Sequence, residues 1–363
     1  MDGEEGNAIL DFLARFGLSI LPVFTFLFGL QFIDSYKLVR LSRILMTVLA
    51  GCLIAAVCYA LNTLAFMSLP ARGHDYAVFG VPVLEEALKA AYVAFLIRTS
   101  RVGFMVDAAI CGFAVGAGFS LVENSIYMRA YPEGSLLLWA VRGFGTAMMH
   151  GGTTSIFAII SSNISDRRSS HSWQVFVPGL ALAIVIHSAY NDALLPPLPS
   201  TFAILVGLPI LLSSIFILSE KSLRSWLGTK LDKDIELMEM ISTGRFSETR
   251  AGSYLRSLRS SFPPELVGDM LSLLYLSLEL SARAKGDLML REAGFSPAPD
   301  PSLPAKLKEL TYLESNIGRA GRFALAPFLS RSTQDLWEIY MLRQGVTVGE
   351  DIASGGESQK TEQ

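Results

Sequence analysis

The sequence has few cysteines, and it lacks the motifs that mark several common classes of protein. The three cysteines, Cys52, Cys58 and Cys111, all lie in apolar stretches, so neither a disulfide framework nor a CxxC metal site is predicted. No basic patch with interleaved aromatic residues is present, which excludes the usual surface for nucleic acid. The HExxH signature is absent too, which excludes an ordinary zincin site.

Charged residues make up only 17% of the chain, whereas hydrophobic residues make up 51% and mean hydropathy is +0.42. These values are too apolar for a soluble protein of this length. The excess lies in the N-terminal part, where several runs approach the ~20 residues that cross a bilayer. The sequence therefore predicts an all-α, polytopic membrane helix bundle of about seven spans. The predicted spans are 8–31, 44–68, 77–97, 104–128, 135–161, 174–195 and 201–219.

Basic residues in the loops predict the orientation of the bundle, because Lys and Arg in short loops mark the cytoplasmic side. They follow the first, third, fifth and seventh spans, so we expect the N-terminus outside and the C-terminus in the cytoplasm. The predicted location is the cell (inner) membrane, with the lipid bilayer as one partner. The residues are Lys37, Arg40, Arg43, Arg98, Arg101, Arg167, Arg168, Lys221, Arg224 and Lys230.

The composition changes after Lys230, where Leu, Glu, Arg and Ser dominate with helical periodicity. We predict a transmembrane catalytic bundle over 1–225, a helical cytoplasmic domain over 226–345 and a disordered tail over 346–363. The apolar helix faces of the middle region must pack on each other, on a second copy or on a cytoplasmic regulator. The predicted amphipathic helices are 234–242, 247–262, 264–292, 307–328 and 333–342, with a Pro-rich linker at 295–304.

Three charged residues, Glu85, Glu86 and Lys89, stand within the third predicted span. A charge at bilayer depth costs at least ~2.5–3.5 kcal/mol, so these residues need partners, a wet cavity or a chemical role. One interpretation is an ion pair that fixes one helix to its neighbours. One lysine neutralises only one glutamate, however, and the second carboxyl would then suit general-base catalysis on water.

Other spans carry possible partners, namely Glu123, His150, His187 and Asn191. Singly, Glu123 could reach the outer water and each histidine could be a hydrogen-bonded packing residue. Together, Glu123, His150 and His187 could bind Zn²⁺, which accepts His nitrogen and carboxylate oxygen, or could carry protons. Glu85 and His187 lie about 12 Å below the outer end of their spans and Glu123 about 8 Å. We therefore expect these side chains to meet in the outer half of the bundle.

Glycines and the two remaining histidines have simpler interpretations. Gly112 and Gly116 form a GxxxG pattern that predicts close helix packing. His74 and His171 fall in predicted loops, so we expect solvated surface residues there.

Taken together, the motifs resemble the PrsW family of bacterial intramembrane proteases, which is related to the CAAX prenyl endopeptidase and bacteriocin-processing group. The sister group has EExxxR and FxxxH where this chain has EExxK and FxxxE, which favours PrsW. The resemblance covers roughly Val83–Asp192. It depends on Glu85-Glu86-x-x-Lys89, Phe119-x-x-x-Glu123, His150 and His187-x-x-x-Asn191.

This resemblance implies an endopeptidase that makes a site-1-type cut in a membrane-anchored protein, typified by an anti-sigma factor. It implies that Glu85 and Glu86 are the catalytic glutamates. In this hypothesis Lys89 keeps them ionised and oriented, and Asn191 donates to the oxyanion. The sequence leaves open whether a bound Zn²⁺ or a glutamate alone activates the water. A proton-coupled transporter and a non-catalytic scaffold are the alternatives, although no internal repeat typical of transporters is seen.

Overall fold

The fold was analysed in a computed structural model of the chain. The residues it describes are helical wherever they are regular and include no β-strand, which confirms the all-α prediction. The predicted disordered tail, 346–363, and His171 lie outside these residues. The described residues are 2–34, 36, 39–68, 73–168, 172–192, 194, 196–326, 328 and 337–343.

Thirteen α-helices of the described residues are numbered here in chain order, residues 337–343 are helical as well, and some helices are extended by π or 3₁₀ turns. The π turns are Tyr76–Gly80 and Arg142–Ala147, and the 3₁₀ turns are Trp173–Val175, Arg245–Glu248 and Leu258–Ser260. The α-helices are α1 Asp2–Ile33, α2 Leu41–Ser68, α3 Gly73–Asp75, α4 Val81–Arg98, α5 Met105–Ala130, α6 Leu136–Val141, α7 Met148–Arg168, α8 Val177–Asn191, α9 Pro197–Ser242, α10 Arg250–Ser257, α11 Pro264–Glu292, α12 Leu303–Asn316 and α13 Gly318–Leu325.

Among the residues that the structure describes, five helical segments are long and apolar enough to cross a membrane. Two other predicted spans, 77–97 and 135–161, fall on the continuous helical stretches 73–98 and 136–168. Their buried polar residues lower the hydropathy of both stretches, so the count of seven spans stays a prediction. The five segments are Ile9–Ile33, Leu41–Ser68, Met105–Ala130, Trp173–Asn191 and Pro197–Ser242.

The chain divides into two compact units, Met1–Glu220 and Lys221–Gln363. Helix α9 begins in the first unit and ends in the second. The predicted separation of 201–219 from 234–242 is therefore wrong, because a single helix of 46 residues covers both. The connecting stretch is rich in Leu, Lys and Ser, and Gly228 alone does not stop it. At 1.5 Å per residue α9 is about 69 Å long, more than twice the ~30 Å of a hydrocarbon core.

Among those five segments α5 is the most buried, with 83% of its most apolar 18 residues buried. It packs against α2 on one side and α7 on the other. A Cβ added at Gly112 would lie 2.6 Å from the Thr154 carbonyl oxygen, and one at Gly116 would overlap the His150 carbonyl. This confirms the close packing predicted from GxxxG. The contact fixes the position of the α7 backbone at His150.

The second unit contains the short helices around α11, whose apolar side buries Leu273, Leu274 and Leu288. The prediction of a single helix over 307–328 is wrong. The segment breaks between α12 and α13, where Gly318 has φ +64°. Glycine adopts this left-handed conformation without steric cost, and it ends helices for that reason.

Candidate active site

Helix α4 carries a fully buried ion pair. The Lys89 Nζ atom lies 2.5 Å from Glu86 Oε1, and the two side chains are 0% and 1% exposed. The structure thus forms the predicted ion pair with the second glutamate, one turn from the lysine. Taking two charges out of water is costly, so this pair must be held by further hydrogen bonds.

Those hydrogen bonds come from two neighbouring helices. His187 of α8 donates from Nδ1 to Glu86 Oε1 over 2.8 Å. Thr153 of α7 donates to the same oxygen over 3.4 Å. Because Lys89 binds it as well, Glu86 is already an acceptor for three groups. Through these contacts Glu86 links α4 to α7 and α8.

The adjacent Glu85 has different surroundings, because successive helical residues point about 100° apart. Its Oε1 accepts a hydrogen bond of 3.3 Å from the Asn62 amide of α2. Its Oε2 lies 4.0 Å from His187 Nε2. Glu85 lines a cavity from which Glu86 and Lys89 are absent. Of the two glutamates, Glu85 is the one that can meet a substrate.

This space, the polar cavity, has a volume of about 580 Å³. Its wall contains residues of α2, α3, α4, α5, α7 and α8. His74 is exposed, as expected for a solvated residue, but it lies in the short helix α3 rather than in a loop, and it lines the polar cavity. Five of the residues singled out in the sequence also line it, namely Glu85, Glu123, His150, His187 and Asn191.

His150 lies between a cation and a carboxylate. Lys89 Nζ is 3.2 Å from His150 Nδ1, and Glu123 Oε2 is 2.9 Å from His150 Nε2. A neutral imidazole satisfies both contacts when Nε2–H donates to Glu123 and Nδ1 accepts from Lys89. Glu123 also pairs with Arg142, 3.4 Å away. Glu86 and Glu123 therefore each have a cationic partner, Lys89 and Arg142 respectively.

The helical stretches 73–98 and 136–168 each contain a π turn just before their site residues. The turn Tyr76–Gly80 precedes Glu85 by five residues, and Arg142–Ala147 precedes His150 by three. A π turn inserts about one extra residue and changes the direction of every side chain that follows it, and such turns often occur at functional sites. These turns therefore contribute to the direction in which Glu85 and His150 point.

Asn191 lies at the C-terminal end of α8 and is exposed. Its amide nitrogen donates to the Ala77 carbonyl in the first π turn over 3.3 Å. An amide nitrogen has two N–H groups, so this bond occupies only one of them. His187 and Asn191, four residues apart, line the same cavity.

Three buried side chains could hold a metal ion. One donor atom from each of Glu85, His150 and His187 lies within 4.8 Å of the others. We call these residues the donor group. The sequence suggested Glu123 as the carboxylate, but Glu123 Oε2 is engaged by His150 and Arg142.

The chemistry of the donor group fits zinc, which binds His nitrogen and carboxylate oxygen. The hydrogen bond from His187 Nδ1 to Glu86 leaves Nε2 as a free acceptor on the side of Glu85. A carboxylate behind a ligating histidine is the usual support of a metal site. His150, whose two ring nitrogens both have partners, would have to exchange one contact for the ion.

Several residues that complete the network were not selected from the sequence. A lone amide in an otherwise apolar run was an available signal for Asn62. The charge of Arg142 within an apolar span was a second available signal. The missed residues are Asn62, Tyr76, Asn124, Arg142 and Thr153.

Comparison with models of protein families identifies the family to which this part of the chain belongs. The model of the PrsW family of intramembrane metalloproteases matches residues 40–218. These residues form a PrsW-family domain. The match runs from α2 into α9, including the donor group, and confirms the resemblance seen in the sequence. The comparisons with curated proteins and with solved structures gave no match.

The PrsW domain makes this chain a protease that resides in the membrane. Its substrates are accordingly membrane proteins, and its surroundings are lipid. This assignment favours the peptidase hypothesis over the transporter and the scaffold.

Proposed function

We propose that the PrsW domain hydrolyses a peptide bond of a membrane-anchored protein in the polar cavity, with a metal ion held by Glu85, His150 and His187. The observation that carries this proposal is the approach of the three donor atoms to within 4.8 Å of one another at the wall of that cavity. A Zn²⁺ ion bound there would lower the pKa of its water and polarise the scissile carbonyl.

The protein's own residues have distinct roles in this proposal. Glu86 and Lys89 orient the two histidines through the contacts of His187 Nδ1 and His150 Nδ1. Glu123 takes the proton of the attacking water and returns it to the leaving amine, because its carboxylate lies on the cavity wall. Asn191 donates its second amide N–H to the oxyanion.

One observation favours a second mechanism for the same reaction. The Lys89 ammonium lies 3.2 Å from His150 Nδ1, where it would repel a bound cation. In the metal-free alternative Glu85 itself takes the proton from water. Both mechanisms require the Glu85 carboxylate, and they differ in whether the purified protein holds metal.

The proposed topology follows from the charges of the loops, and the proposed substrate follows from the family. The N-terminus lies outside and the C-terminus in the cytoplasm of the cell (inner) membrane, so that the polar cavity opens toward the outer half of the bilayer. The substrate class is a membrane-anchored regulator such as an anti-sigma factor. The cut is of site-1 type, made before a second protease acts.

The helical domain after the membrane bundle binds a cytoplasmic regulator in this proposal. Support comes from large apolar side chains left exposed in the second unit, among them Phe323 at 84% and Tyr312 at 64%. A chain that ends after Lys230 should keep basal cleavage and lose its response to the signal. A folded but inactive truncation would instead make the helical domain part of the catalytic unit.

The direct test of the proposed function is cleavage of a membrane-anchored candidate substrate by Glu85→Gln. This substitution keeps the shape of the side chain and removes its charge, so cleavage should fall to background while the protein still accumulates in the membrane. Glu133→Gln, at an exposed position, is the matched control and should cleave normally. Normal processing by Glu85→Gln would reject both mechanisms.

A further inference from the structure

Asn62 of α2 places a single amide next to the proposed catalytic carboxylate. It belongs to an apolar run on the wall of the polar cavity, beside Cys58 and Phe66. Its Nδ2 donates to Glu85 Oε1 over 3.3 Å. This contact is closer than the 4.0 Å approach of His187 Nε2 to Glu85 Oε2. An amide in this position limits the rotation of the carboxylate.

Tyr76 in turn fixes which end of the amide faces Glu85. Its hydroxyl donates to Asn62 Oδ1 over 2.8 Å. The Glu85 carboxylate only accepts, so the amide NH₂ faces Glu85 and Oδ1 faces Tyr76, and donation by the Tyr76 hydroxyl stabilises this orientation. Loss of the hydroxyl would permit a flipped amide, whose oxygen would face the carboxylate and repel it.

The Tyr76 ring is also held in place, by packing against its neighbours. It packs edge-on against Phe66 with 5.0 Å between ring centroids. A Cβ at Gly80, the last residue of the same π turn, would overlap the Tyr76 ring. The turn therefore needs glycine at this position to let the ring reach Asn62.

We infer that Asn62 is a positioning residue that directs the Glu85 carboxylate toward His150 and His187, and that Tyr76 sets the orientation of Asn62. The inference rests on the proposed function, since it assigns these two residues a task only if Glu85 takes part in catalysis. Neither residue needs to touch the substrate for this role.

The test measures kcat, KM and retention of zinc against a chelator in Asn62→Leu, in Tyr76→Phe and in the double variant. Asn62→Leu should lower kcat about 10- to 100-fold and weaken zinc retention to a similar degree, as expected for residues that support a metal ligand. Tyr76→Phe should lower kcat about 2- to 10-fold. KM should stay within about twofold of wild type, because substrate contacts are unchanged.

The double variant separates positioning from a general loss of structure. Tyr76 acts only through Asn62, so adding Tyr76→Phe to Asn62→Leu should cost nothing further. Ser68→Ala is the matched control, because Ser68 is exposed on the same helix, lies outside the cavity wall, and its hydroxyl donates to Leu64 O of its own helix. If Asn62→Leu does not fold, wild-type kcat and zinc retention in Tyr76→Phe overturn the inference.

Three further results would contradict it, namely full kcat in folded Asn62→Leu, a raised KM with unchanged kcat, or fully additive effects in the double variant. The outcome for Glu85→Gln keeps this test apart from the proposed function. An active Glu85→Gln rejects the proposed function. An inactive Glu85→Gln beside a fully active Asn62→Leu rejects only the role of Asn62.

Discussion

Lys89→Met tests whether the buried ion pair holds the site together. The Lys89 side chain is fully buried, with Nζ 2.5 Å from Glu86 Oε1 and 4.6 Å from the centre of the Phe119 ring. Methionine retains the apolar stem and removes the charge. The Glu86 carboxylate would then stay buried with only His187 and Thr153 as donors.

The expected loss of stability follows from the burial of that uncompensated charge. Removing one partner of a buried pair typically costs ~3–5 kcal/mol. Two hydrogen bonds to Glu86 survive, so we expect the lower end, about 3 kcal/mol. Combining Lys89→Met with Glu86→Gln removes the stranded charge and should recover at least ~1 kcal/mol of that loss.

The assay is denaturant unfolding of the purified variants in one detergent. Lys221→Met, at an exposed lysine, is the control and should unfold within about 0.5 kcal/mol of wild type. Stability of Lys89→Met within that same range would refute the reasoning. A double variant no more stable than Lys89→Met would also refute it, since the cost could not then come from the charge of Glu86.

Three other predictions concern packing, the helical domain and topology. Gly116→Val forces a side chain into the α7 backbone and should cost ~1–3 kcal/mol, whereas Gly207→Val, where nothing lies within 4 Å, should not show this overpacking cost when unfolding is compared. Lys285→Met removes a lysine that is 1% exposed and pairs at 2.5 Å with an aspartate, so unfolding of the second unit should become easier by about 3 kcal/mol; a change below 1 kcal/mol would contradict this. Reporter fusions after Lys230 should report cytoplasm and fusions near Glu133 the outside, and the inverse pattern would place the polar cavity toward the cytoplasmic half.

Sequence reasoning found the cluster because charges in apolar spans are costly and must therefore meet partners. Glu85, Glu123, His150 and His187 line one cavity, and the spacing of the motifs led to the correct family. This argument works for residues whose burial is expensive. It is weaker for a single amide such as Asn62, whose cost is small enough to be overlooked.

The different surroundings of Glu85 and Glu86 were not accessible from the sequence. Which of two adjacent residues faces the cavity depends on the rotation of α4, and the π turn Tyr76–Gly80 lies immediately before that helix. A one-residue insertion into a helical turn leaves no periodic signal over so short a stretch. The break at Gly318 was missed for a similar reason, because apolar periodicity continues on both sides of it.

The zinc content of the purified protein tests the central claim most directly. The donor group predicts about one zinc per chain in wild-type protein, purified in detergent without added metal, and its loss in His187→Ala. His74→Ala, which alters the cavity wall outside the donor group, should retain the metal. Full cleavage activity in wild-type protein that has been stripped by a chelator and contains no metal would contradict the claim.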